Sequence, residues 1–175
     1  MSEEEIWEFI ESTRPTQSYS LLKHVENLSA VVSQMSMDDI VHFTEAFEAL
    51  VKNARDYGLF LAFNLMFQGH CTDDVLADAI SSLIFRGRQD YYDVVESGDR
   101  LAEFEDFEVC EEASLFLDNL WEELYPGTLI PTEVSEGPYI PDWPPSREDE
   151  EMFRRALPLM FPKLYAKFGV PEPTL

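Results

Sequence analysis

From residue 2 to about residue 125, apolar positions recur at three- and four-residue intervals, the period of helices with one buried stripe. Ser2 with Glu5 three residues on forms a capping box ahead of Ile6, Phe9 and Ile10. A second helix is predicted over Tyr19–Gln34, through SLLKHVENLSAVV. A third opens at SMDD (36–39), with Ser36 as cap and a stripe of Ile40, Phe43, Phe47, Leu50 and Val51. After Gly58, the run LFLAFNLMF (59–67) is apolar nearly all round. It reads as a helix in the centre of the core, with a buried strand as the rival. Further helices are predicted over Thr72–Arg86, 89–97 and 109–125. The pattern predicts an all-α fold.

The character of the chain changes after Tyr125. Residues 126–146 hold six prolines and two glycines, which fix φ or remove amide donors and so exclude a long helix. Tyr139, Ile140 and Trp143 are expected to pin this loop to the body. Ser146 with Asp149 restarts a helix, and Pro158 and Pro162 are expected to divide it into two short ones. A length of 175 residues fits one domain spanning 1–175.

Composition sharpens this picture chiefly through charge. With 35 acids against 12 bases, the net charge is −23. That argues against direct contact with nucleic acid or an anionic membrane, and favours encounter with a basic partner. Two cysteines are too few for a disulfide framework. The first residues are acidic where a secretory signal is basic, and the longest apolar run is about half a membrane span. The expectation is a soluble, cytoplasmic protein.

Two places could carry chemistry. Residues 101–146 contain twelve acids and no Lys or Arg. Six of those acids, Glu103, Glu105, Asp106, Glu108, Glu111 and Glu112, interleave with Phe104 and Phe107 in EFEDFEVCEE. This is either a solvated face anchored by its aromatics or a patch that receives a basic protein surface. The other place is FQGHCTDD (67–74), where Thr72 is a sound N-cap and Asp73 and Asp74 fall in the first helical turn. Capping accounts for these three residues, but leaves Gly69, His70 and Cys71 as a tight turn of open purpose. Arg88 lies fourteen residues beyond Asp74, roughly 20 Å along a helix, so it joins the acids only if the fold brings it near.

Elsewhere the signals are weak. Asp38, His42 and Glu45 share a helix face opposite the apolar stripe, which argues against a buried metal site. His24 is expected at the surface or half-buried. No Gly-rich phosphate loop, nucleophile elbow, His-Glu-x-x-His or Cys-x-x-Cys occurs. No cofactor or metal is expected.

Gly69, Cys71, Asp73, Asp74, Leu83, Ile84, Gly87 and Arg88 follow a pattern that resembles a bacterial family, the domain of unknown function numbered 4240. Its members carry Gly-Gly-Cys-Ser-Asp-Asp followed by Gly-Arg. IWEFI near the N-terminus, NARDYGLFLAFNLMF, and the closing FRRALPLMFPKLYAKF are similar to further family segments. His70, Thr72, Leu76 and Ser82 depart from the pattern. If the motif built an active site, His70 would crowd the turn and Ser82 would remove an aromatic wall. The resemblance implies an all-helical domain and carries no activity.

Three functional readings follow. The first is a non-enzymatic acidic interaction protein of immunity or antitoxin type, whose carboxylates at 103–112 meet a basic partner such as a toxin. The second is an enzyme or small-ligand binder at His70, Asp73 and Asp74, completed by Arg88. The third is a mimic of nucleic acid that occupies a basic groove.

Overall fold

The computed structural model describes residues 1–132 and 147–169. The expected pinning of the loop by Tyr139, Ile140 and Trp143, and the Ser146 cap, lie outside these residues. Among the described residues the chain forms α1 (Glu3–Ser12), α2 (Leu21–Val32), α3 (Met37–Ala54), α4 (Tyr57–Met66), α5 (Asp73–Arg86) and α6 (Arg88–Glu96). A 3-10 helix (Gly98–Glu103), α7 (Glu112–Leu124), α8 (Arg147–Met160) and α9 (Pro162–Phe168) follow. The fold is all-α.

Short-range chemistry starts these helices as the sequence suggests. Ser2 and Glu5 form the capping box of α1, with the Ser2 amide donating to Glu5 Oε2 at 2.7 Å. Ser36 caps α3 and Thr72 caps α5 through their hydroxyls. Asp56 caps α4 by accepting from the Leu59 amide at 2.9 Å. The strand reading of 59–67 is thereby excluded. Helix α7 begins at Glu112 rather than near 109, because the backbone up to Cys110 remains outside the helix and no side chain caps the start. Near the C-terminus, α8 runs through Pro158 and ends before Phe161, whose backbone leaves the helical region ahead of Pro162. Pro162 then occupies the first turn of α9, where a missing N–H costs nothing.

The core centres on α5 rather than on α4 alone. Ala79 to Phe85 are all buried, including Ser81 and Ser82, and α5 packs against α2, α3, α4, α6 and α7. Around it gather Phe43 and Phe47 of α3, Phe85 of α5 and Phe116 of α7. Phe85 lies 6.2 Å from Phe47 and 5.6 Å from Phe116, ring centre to ring centre. Helix α4 is buried from Leu59 to Asn64 and faces a second layer of the 3-10 helix and α9. Tyr91 fixes α6 to α3 by donating to the Leu50 carbonyl at 2.6 Å.

His24 is not at the surface. It is 1% exposed, on the buried stripe of α2. Its Nε2 lies 2.6 Å from the Ile10 carbonyl, which can only accept, so Nε2 carries the proton. The rings of Tyr19 and Phe85 stand edge-on to it at 6.0 and 5.1 Å. Ile10 of α1 and Phe85 of α5 cover it, neighbours that the spacing within α2 does not reveal.

Candidate functional site

The turn 67–72 is a helix-ending motif. Gln68 adopts φ 55 and Gly69 φ 87. The Gly69 amide donates to the Asn64 carbonyl at 2.8 Å and the Gln68 amide to Leu65 at 3.2 Å, the paired bonds of a Schellman ending. Positive φ is thus demanded at 68 and 69, and not at 70, so His70 crowds nothing. Its Nδ1 lies 3.1 Å from the Phe67 carbonyl while the side chain stays exposed. The buried Cys71 amide then donates to Asn64 Oδ1 at 3.3 Å, which ties the turn to α4. Burial pushes the Cys71 thiol up to about 12, so it remains protonated and is no nucleophile.

Asp73 and Asp74 are exposed in the first turn of α5. Arg88 sits past the far end of that helix. Its Nη1 pairs with Glu4 at 2.7 Å and its amide donates to Glu11 at 3.3 Å, both on α1. The fold therefore does not bring Arg88 to His70, Asp73 and Asp74. Gly87, between α5 and α6, has φ 114 and ψ 166, a region that glycine alone tolerates. It forms the junction at which α5 ends and α6 begins. In this chain the Gly69–Asp74 and Gly87–Arg88 motifs join helices. Ser82 likewise is part of the architecture, buried and accepting from the Cys110 amide at 3.2 Å.

This assignment gives a test. Asn64→Ala leaves the buried Cys71 amide without its acceptor, at an expected cost of about 1–3 kcal/mol. Asp73→Asn is expected to change stability far less, because Asp73 is exposed. Urea unfolding of both variants compares the two.

The acidic segment 104–111 runs without regular structure from the 3-10 helix to α7. Its inner side is apolar. Phe104 and Phe107 stack at 5.8 Å, and Phe107 meets Phe63 of α4 at 5.6 Å. The Arg86 guanidinium lies 4.0 Å above Phe104, and its Nη1 donates to the Asp106 carbonyl at 3.3 Å. The aromatics do anchor the segment.

The carboxylates of residues 103–112 divide into two groups. Glu103 is held by Arg100 at 3.0 Å and Lys163 at 2.7 Å, and the bonds from Lys163 and then Arg100 lower its pKa. Glu108 accepts from the Leu21 amide at 3.3 Å, serving the N-terminus of α2. Glu112 accepts from the Cys110 thiol at 2.9 Å, which lowers the carboxyl pKa. Desolvation and that bond push the thiol up to about 11. Glu105, Asp106 and Glu111 are exposed, and their carboxylates have no hydrogen-bond or ion-pair partner among the described residues.

Asp38, His42 and Glu45 face solvent as the helical wheel predicts. Among the described residues no group of three His, Cys, Asp or Glu side chains is placed to hold a metal, and no helix is long and apolar enough to cross a membrane. A groove of about 440 Å³ between the first turns of α1 and α3 is lined by Met1, Glu5, Phe9, Met35, Asp39 and His42. It contains none of His70, Asp73, Asp74 and Arg88. Sequence reading missed Asn64, the polar residue that organises the turn. Its only signal was an amide within an otherwise apolar helix.

No curated protein matches the chain, and no solved structure does. Residues 1–124, from the N-terminus to the last residue of α7, match the family model described as a protein of unknown function, DUF4240, and the chain belongs to that family.

Proposed function

We propose that the chain is a non-enzymatic, acidic interaction protein of immunity type, which neutralises a basic protein effector by binding it directly. The observation that supports this reading is the firmly seated acidic segment. Phe104, Phe107 and Arg86 hold its backbone, while Glu105, Asp106 and Glu111 project without partners. Carboxylates mounted on a fixed backbone lose little freedom when a cationic surface meets them, which favours binding over a mobile acidic tail. The net charge of −23 adds long-range attraction, so association should be fast and sensitive to salt.

The test is affinity capture from the native host with two baits, wild type and the triple variant Glu105→Lys, Asp106→Lys, Glu111→Lys. The wild-type bait should retain a basic protein whose toxicity is suppressed on co-expression. The variant should lose both capture and protection, with an unchanged circular dichroism spectrum and melting temperature. Equal capture and protection by both baits would remove the acidic segment from the function.

A further inference from the structure

We propose that His24 is a proton-operated latch, whose protonation loosens the acidic segment from the body of the folded protein. The inference does not rest on the identity of any partner, because it concerns the free chain.

His24 stands where three elements meet. Its Nε2–H donates to the Ile10 carbonyl of α1, and its ring packs edge-on against Phe85 of α5 and against Tyr19 just ahead of α2. Nδ1 is buried with no hydrogen-bond partner. Protonation turns Nδ1 into a donor beside the Phe85 carbonyl, which also accepts from the Tyr19 hydroxyl at 3.3 Å; this carbonyl and that of Ile10 favour the charged ring, but burial outweighs them. The charged groups at this corner are Arg14 beyond α1, Arg86 at the end of α5, Asp90 on α6 and Glu108 on the acidic segment, all of which act on Tyr19. Of these, Arg14 acts on His24 itself, and it opposes the positive charge. The imidazolium would therefore be buried beside a like charge without a carboxylate to balance it.

The same corner holds the acidic segment in two ways. Glu108 grips the Leu21 amide in the first turn of α2, one turn before His24. Arg14 lies 4.9 Å over the Tyr19 ring and donates to the Arg86 carbonyl at 2.9 Å, and Arg86 in turn holds Phe104 and the Asp106 carbonyl. Moving the first turn of α2 outward relieves the buried charge and releases the Glu108 grip on Leu21 together with the Arg14–Tyr19 contact, while the Arg86 contacts stay with α5.

The sign follows from burial, which lowers the His24 pKa below its ordinary 6.5. The closed state is thus fully favoured above pH 6.5 and is lost as pH falls from there toward the lower folded value. Glu48 contributes in the opposite sense. Burial, Asp118 and Glu45 raise its pKa, so acidification stabilises the fold at that site. The experiment is therefore run in a Glu48→Gln background as well as in wild type.

The His24 ring is titrated by NMR, and amide exchange at Leu21 and Cys110 is followed between pH 7.5 and 5. The ring should titrate below 6.5. After correction for intrinsic exchange, opening at both amides should rise by up to about tenfold per pH unit, as one linked proton allows. In His24→Gln, which retains a donor for the Ile10 carbonyl, the rise should vanish. An unchanged rise in His24→Gln would overturn the proposal, as would pH-independent opening in wild type or a ring that titrates at or above 6.5. Should His24→Gln fail to fold, the wild-type ring titration and exchange profiles still decide, because a latch requires their midpoints to coincide.

Discussion

Phe85→Ala is expected to cost about 3–5 kcal/mol of folding free energy, as removal of a fully buried aromatic ring generally does. Phe85 is 0% exposed and touches the rings of His24, Phe47 and Phe116, so its loss opens a void between α2, α3, α5 and α7 together. These helices cannot close the gap by moving one side chain, since each is held by separate contacts. With typical domain stabilities of about 5–15 kcal/mol, the variant would fold marginally or be partly unfolded at 25 °C. Urea unfolding monitored by circular dichroism measures the shift. Phe85→Leu, which fills most of the volume, should recover a substantial part of it. A loss below about 1 kcal/mol for the alanine variant would mean that the aromatic cluster is not the centre of the core.

Gly98→Ala should cost about 1–3 kcal/mol, the range for overpacking in a filled interior. A Cβ at Gly98 would stand 2.6 Å from the Ala62 Cβ and 3.2 Å from Phe161 Cε1. The Ala62 methyl is fixed to the backbone of α4 and has no rotamer to escape into. The 3-10 helix must therefore shift, and with it Asp99, which accepts from the Leu164 amide at 2.8 Å and from the Lys163 amide at 3.3 Å. Amide exchange at Leu164 should accelerate more than exchange in α5. Ala62→Gly combined with Gly98→Ala should restore space, and a double-mutant cycle should show positive coupling between the two sites. Additive losses would locate the strain elsewhere.

What could be read from the sequence was what neighbouring residues decide. The Ser2–Glu5 capping box, the Ser36 and Thr72 caps and the α3 stripe all depend on residues within one or two turns, and all are present. The aromatic anchoring of Phe104 and Phe107 was legible too, because they alternate with acids that must face water. His24 could not be placed in this way. Its burial comes from Ile10 and Phe85, and without those elements a lone histidine looks half-exposed. Arg88 was separable from Asp74 by helix length, but its true partners on α1 lie 84 and 77 positions away in sequence. The start of α7 was set too early because the Cys110 amide is satisfied by Ser82, 28 positions upstream. The family-like motif was recognised, but its part in joining helices emerged only from the Asn64 bonds and the backbone angles at Gln68, Gly69 and Gly87.

Helix α9 carries a consequence for how the chain can be divided. The family match ends at residue 124, yet Leu164 is 0% exposed, and α9 lies against α4 and the 3-10 helix. Asp99 supplies the amide acceptors that the start of α9 lacks from its own residues, and Lys167 donates to the carbonyls of Ala102 and Phe104. A fragment cut at the edge of the family match would keep every matched residue while stripping the cover from α4 and leaving the Ala102 and Phe104 carbonyls without their lysine. The limit of the family match and the limit of the physical core fall at different places along this chain.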